Sequence, residues 1–288
     1  MKLGVRRRCN NIPLSGMVLR RFVHMMNRVI FGILMLLGFS AFAQDLKLTN
    51  TIKGEFDFMI TDHIGRLYLA KGYELFVYYD DGLLKYQYSD MSRGVITHLD
   101  TRNPMKLLLF YPGYSEIALL DNTLSQTRDN INLNDLGLEL ATLACASFDN
   151  GFWVYDPVSF RLLRYDQGLK ITNDVSNVNQ LVGAEIYPNQ LIEFENWLYL
   201  NDPKHGVFVF DSFGTYSKLI PIKGAERIQV RENGIFLEYE SKLLKYDQMN
   251  FDQVEIILPV DEFKALSIEK NRLYVMQKNQ VLIFSTDK

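Results

Sequence analysis

The sequence predicts an all-β chain folded as a six-bladed β-propeller of four-stranded antiparallel blades, and three observations predict it. The first is a recurring phrase, an apolar strand closed by Asp. It appears as LFVYYD ending at Asp80, EIALLD at Asp121, RLLRYD at Asp166, VFVFD at Asp211 and KLLKYD at Asp247, then as VLIF with Ser285 in the acidic slot. The second is the spacing of these marks, 41, 45, 45, 36 and 38 residues, which is the period of a supersecondary unit repeated six times. The third is an imbalance at the two ends. The sixth repeat supplies only ALSIEK, RLYVMQ and VLIFS, while an orphan strand, Leu46 to Ile52, precedes the first repeat. Adding the orphan to the last sheet completes the last blade, closes the ring and covers an open edge.

The fourth repeat carries the clearest pattern. Trp197 to Gly214 reads WLYLNDPKHGVFVFDSFG: an apolar run, a polar turn with Pro203 and Gly206, a second apolar run, then an aromatic, Asp211 and a Gly-containing turn. With NQLIEFE before it and YSKLIPI after it, the repeat divides into four strands, numbered from the inside outwards. The first repeat gives DFMITD, GRLYLAK, ELFVYYD and LLKYQYS, the third TLACASF, GFWVYD, FRLLRYD and GLKITND, and the fifth RIQVRE, GIFLEYE, SKLLKYD and QVEIILP. The second repeat is the least regular, and VITHLD, MKLLLFY, EIALLD and LSQTRDNI are its expected strands. Each second strand places a large apolar side chain at the matching position: Tyr68, Leu109, Trp153, Tyr199, Phe236 and Tyr274. A single sheet of this size cannot bury both faces, so these side chains are expected to pack between neighbouring sheets.

The fourth-repeat pattern, with its strand Leu198 to Leu200, turn Asn201 to Gly206 and strand Val207 to Gly214, resembles the repeats of NHL-type and TolB-type six-bladed propellers. The resemblance implies the fold and a disposition to bind partners. It transfers no catalytic residue, because such families include scaffolds, peptide and protein binders and a few enzymes.

Of the 288 residues, 48% are hydrophobic and only 8 are Pro, a composition that fills a packed domain, expected over residues 44–288. Residues 1–43 read differently. They carry seven Lys and Arg and no acidic residue, followed by the apolar run Val29 to Phe39 and small residues up to Ala43. That order is the signature of an N-terminal extension with a secretory signal peptide, cleaved between Ala43 and Gln44. The apolar run falls short of the about 20 residues that span a bilayer, and no Cys follows the cleavage position to carry a lipid anchor. The methionines Met25 and Met26 would each start a conventional signal peptide. The expected product is exported, periplasmic or extracellular, without a stable membrane anchor.

Removing residues 1–43 takes 7 of the 31 basic side chains and none of the 34 acidic ones, which leaves 24 against 34 and a formal charge of about −10. Such a chain disfavours nucleic acid as a partner. Cys145 is then the only cysteine, expected as a small buried hydrophobe with no basic neighbour to activate it.

Chemistry is sparse. No G-x-S-x-G, phosphate loop or dinucleotide motif occurs, and His63, His98 and His205 lie far apart in sequence with no zinc spacing. The repeated Asp80, Asp121, Asp166, Asp211 and Asp247 precede turns, where a carboxylate accepts backbone N–H groups just ahead; they are expected as structural turn residues on the rim. No cofactor is expected. A calcium on the ring axis, as in a propeller hydrolase or lactonase, is the alternative, and would draw on Asp62, Asp149, Glu195, Glu232 and Glu269 near the ends of first strands. In propeller topology the turns between second and third strands share one face with the links between repeats. Tyr73, Tyr111, Tyr114, Lys204, His205 and Tyr239 fall there, together with the longest links, Asn130 to Leu143 and Asn173 to Gln190. Tyrosine is a rigid amphipathic contact residue. This face is the expected binding site of an exported scaffold for a protein, peptide or glycan.

Overall fold

Apolar alternation alone does not explain how deeply the middle strands sit. Trp197–Asp202 and Gly206–Asp211 are buried along nearly their whole length, whereas the outer strand Leu84–Ser89 alternates between exposed and half-buried. Both faces of the middle strands therefore meet protein, while the outer strands are open to solvent. The computed structural model, which describes residues 46–79 and 81–286, accounts for this with six four-stranded antiparallel sheets. The expected extension and signal peptide over residues 1–43, with its cleavage position, and Asp80 lie outside the described residues.

In order from first to fourth strand, blade 1 is Phe58–Thr61, Leu67–Lys71, Glu74–Tyr78 and Leu84–Ser89. Blade 2 is His98–Asp100, Leu107–Tyr111, Glu116–Leu120 and Ile131–Asn132, and blade 3 is Leu143–Ala146, Phe152–Asp156, Arg161–Tyr165 and Ile171–Val175. Blade 4 is Gln190–Phe194, Trp197–Asp202, Gly206–Asp211 and Tyr216–Ile220, and blade 5 is Arg227–Arg231, Gly234–Tyr239, Lys242–Tyr246 and Gln253–Ile256. Blade 6 takes Ala265–Glu269, Arg272–Met276 and Gln280–Ser285 from the end of the chain and Lys47–Lys53 from its beginning. The closing pair runs antiparallel from Lys47 opposite Ser285 to Lys53 opposite Gln280. The orphan strand thus closes the ring as the sequence predicts.

The core is divided among six clusters, one at each seam between blades. Tyr68 and Leu109 meet between blades 1 and 2, Trp153 lies between blades 3 and 4, Tyr199 between 4 and 5, Phe236 between 5 and 6, and Tyr274 between 6 and 1. All six second-strand positions are buried, as inter-sheet packing requires. Cys145 is buried in the seam between blades 3 and 4, and burial pushes its thiol well up, away from a reactive thiolate.

Blade 2 departs from expectation. The segment read as its fourth strand is mostly loop: it touches the third strand through a single Leu120–Gln126 bridge, and the ladder with Glu116–Leu120 is made by Ile131–Asn132. The reason is local competition. Asp121 Oδ1 accepts the N–H groups of Thr123 and Ser125, Leu124 adopts a left-handed φ of 64°, and the run meets the third strand only briefly, with Thr127 N–H donating to Leu119 O at 2.9 Å.

Candidate functional site

The face that carries the links is built by the blades' second-to-third-strand turns. In blade 1, the link that follows folds back on the turn, with Asp90 N–H donating to Tyr73 O at 3.3 Å and Ile96 N–H to Gly72 O at 2.8 Å. Arg93 fastens the same link to the next blade through Glu116 Oε2 at 2.7 Å, and its guanidinium also meets Asp90. Blade 2 offers a single 3-10 turn, Pro112–Tyr114, whose Tyr114 ring lies beside Gly94. On this anchored surface Tyr73, Met91, Val95 and Tyr114 stand 38%, 72%, 63% and 52% exposed.

The expected tyrosine set does not converge as a whole. Tyr111 is only 2% exposed and belongs to the core between blades 1 and 2, so it is not a contact residue. It sits on the last position of a strand, opposite Glu116, where the side-chain alternation turns it inward. Tyr239 is half-buried and lies against Gly224, where an added Cβ would come within 2.4 Å of its ring. Lys204 is exposed, and the partly exposed His205 has Nδ1 3.4 Å from Asp202 Oδ1. Two residues on this face escaped the sequence reading. Asp202 is fully buried and accepts N–H groups from Lys204 at 2.8 Å and from Tyr187 at 2.6 Å, which leaves the Tyr187 side chain 65% exposed on the link between blades 3 and 4. Asp156 does the same for Val158 at 2.9 Å. Both precede proline, and the Asp-Pro pair was the available signal.

The second concave feature is the axis. Residues of all six blades, mostly from their first strands, line a cavity of about 460 Å³. Side-chain hydrogen bonds tie each first-strand region to the next around it. Thr101 Oγ1 donates to Thr61 O at 2.9 Å, Asp100 accepts from Ala146 N–H at 2.9 Å, and Ser147 Oγ meets Glu193 Oε2 at 2.5 Å. Gln190 Nε2 donates to Ile228 O at 3.0 Å, Gln229 Nε2 to Leu266 O at 2.8 Å, and Thr61 and Ser267 share a 2.6 Å hydroxyl contact. Two arginines reach further. Arg102 of blade 2 passes blade 3 to pair with Glu193 of blade 4 at 2.8 Å, and Arg227 of blade 5 passes blade 6 to donate to Met59 O of blade 1 at 3.4 Å. Burial at the axis pushes the His98 imidazole down, toward its neutral form.

Of the residues expected for an axial calcium, Asp62, Glu195, Glu232 and Glu269 border this cavity. Asp62 Oδ2 is taken by Arg66 Nε at 2.8 Å and the Tyr68 hydroxyl at 3.0 Å, and Glu269 is paired with Arg231 at 3.0 Å. Asp149 and Glu195 occupy left-handed tips of hairpins, with φ of 58° and 47°. Among the described residues no three His, Cys, Asp or Glu are grouped to hold a metal ion. Asp121, Asp166, Asp211 and Asp247 each accept backbone N–H groups two to four residues ahead, as in the 2.8 Å bond from Thr215 N–H to Asp211.

No protein-family model matches the chain, and no curated protein does. Solved structures do. Virginiamycin B lyase from Staphylococcus aureus superposes with a TM-score of 0.57 at 10% identity, covering 84% of this chain and 99% of its own. The Pan2 WD40 domain of Neurospora crassa gives 0.59 at 6% identity, over 85% and 97% of the two chains. BBS1N, in its complex with ARL6DN, gives 0.50 at 14% identity over 77% and 75%. These likenesses establish a shared propeller architecture.

Proposed function

We propose that this chain is an exported, non-enzymatic binding propeller that engages a protein partner through the link face of blades 1 and 2. The observation that carries the reading is the group Tyr73, Met91, Val95 and Tyr114, large exposed side chains held on turns that backbone hydrogen bonds and the Arg93–Glu116 pair keep in place. Tyr, Met and Arg are the residue types enriched where surfaces bind proteins, and a preset backbone lowers the entropy lost on binding. The neighbour BBS1N, solved in complex with ARL6DN, supports a protein partner for this fold. Export rests on the basic, apolar and small-residue order of residues 1–43.

The test is site-specific photo-crosslinking from position 91 in the cell that makes the protein, in the parent and in Tyr73→Ala and Tyr114→Ala variants. A discrete cross-linked partner whose affinity falls roughly thirtyfold in each variant is the expected result, since truncating a hot-spot residue costs about 2 kcal/mol or more. Undiminished capture in both variants would overturn the assignment.

A further inference from the structure

We propose that the axial cavity binds a small apolar carboxylate, its anionic end on Arg227 and its apolar body along Phe58, Ile60 and Ile192. The cavity volume, about 460 Å³, lies in the range of roughly 300–1,000 Å³ of pockets that enclose small ligands. The three arginines that line it are not equivalent. Arg102 and Arg231 are paired with Glu193 and Glu269. Arg227 lines the cavity half-buried, with no carboxylate within ion-pair distance among the described residues and a single long hydrogen bond to Met59 O. A guanidinium has five N–H donors in a planar fork that matches a carboxylate, so most of its capacity is uncommitted.

Glu238 lies opposite Arg227 in the ladder and feels its charge. It is buried, its Oε1 lacks a hydrogen-bond partner, and desolvation pushes its carboxyl up to about 7, so it neutralises Arg227 only in part. His98 and Thr97 border the same cavity, joined to each other at 2.8 Å between Nδ1 and Oγ1, with the imidazole packed edge-on against Phe110. Phe58, Ile60 and Ile192, each half-buried, give the lining apolar area that water covers poorly. One uncommitted cation selects one negative charge. Of the carboxylates that border the cavity, Asp62, Glu193 and Glu269 are paired with arginines and Asp100 accepts backbone N–H groups, while Glu195, Glu226 and Glu232 repel a multiply charged anion such as a phosphate more than a single carboxylate.

Calorimetric titration of the purified protein with octanoate, octanol and a Gly-Leu-Phe tripeptide, acid and amide, tests this. Octanoate or the peptide acid should bind, the stronger of the two identifying a free acid or a chain terminus as the source, while octanol and the amide bind at least about tenfold more weakly. Arg227→Gln, checked for folding by its melting curve, should weaken the acid by the same factor and leave octanol unchanged. Should that variant not fold, Ile60→Asp serves, because a second negative charge beside the ligand must weaken acid binding more than octanol binding. Alanine at Tyr73 and Tyr114 should leave this titration unaltered, which separates it from the link-face reading. No heat from either acid up to about 1 mM, or equal binding of acid and alcohol, would overturn the proposal.

Discussion

Glu238 is a carboxyl that folding disfavours. Burial raises it first and most, and the Glu226 charge adds to this, while the Arg227 charge, the Leu266 N–H and the Gln229 amide pull it back. The folded value of about 7 against the ordinary 4.5 means the protein binds a proton there that the unfolded chain releases. Its contribution to stability is complete below pH 4.5 and is lost as pH rises through 7. Glu238→Gln should therefore stabilise the fold at pH 8 by up to an amount on the order of 3 kcal/mol, and flatten the pH dependence between 4.5 and 7. Denaturant melts of both proteins at several pH values decide it; an unstabilised variant at pH 8 would contradict the assignment. Residue-scale environments of this kind are the least legible in sequence. The motif GIFLEYE marks a strand, but only the ladder that sets Glu238 beside Arg227 and under blade 6 makes the carboxyl costly. Tyr111 and Tyr114, three positions apart, carried the same expectation, and the strand end between them put one in the core and one in solvent.

At the scale of the element, the closing strand Lys47–Lys53 is held by a ladder to Gln280–Ser285 and by Ile52, 6% exposed in the seam between blades 6 and 1. Ile52→Ala should destabilise by about 2–5 kcal/mol, the range for truncating a buried aliphatic side chain, and removing residues 46–52 should abolish most soluble yield. Equal melting temperatures with and without the strand would contradict this. Gly206 presents a backbone requirement of a different kind. Its φ is +122°, and a Cβ would stand 2.2 Å from Ile220 O, so Gly206→Ala should lower stability well beyond the loss of glycine freedom, measurable by thermal melting. The turn that needs it was readable, since Pro203 and Gly206 bracket it in the sequence. The outer strand of blade 2 was not, because Asx and hydroxyl turns use the same polar residues that an exposed strand would.

For the whole molecule, repetition in the sequence is enough to count blades, and the surplus and missing strands are enough to close them. What repetition does not carry is the interior of the ring, where side chains from blades far apart in sequence meet. Arg102 and Glu193 are 91 residues apart and joined only because the ring curves. Glu193 also receives the Trp153 indole N–H at 2.8 Å and the Ser147 hydroxyl, so it gathers three blades. Glu193→Ala should cost about 3–5 kcal/mol, the penalty for leaving a buried charge and an indole donor unpartnered, with Glu193→Gln recovering part of it. The loss should appear as a lower midpoint of one transition, because each seam cluster belongs to two blades and none can melt alone. Two resolved transitions in the parent would argue against that coupling.

The closing ladder also sets an order of events in time. Thr49 Oγ1 donates to Ile283 O across 234 positions of sequence. While the chain is being synthesised, Lys47–Lys53 emerges before the rest of the ring and waits for Gln280–Ser285. Contacts of such separation form slowly, so until Gln280–Ser285 is made the propeller keeps an open edge and an uncovered apolar seam. The same ladder would leave a chain truncated before residue 280 without its closing partner and marked for aggregation or proteolysis.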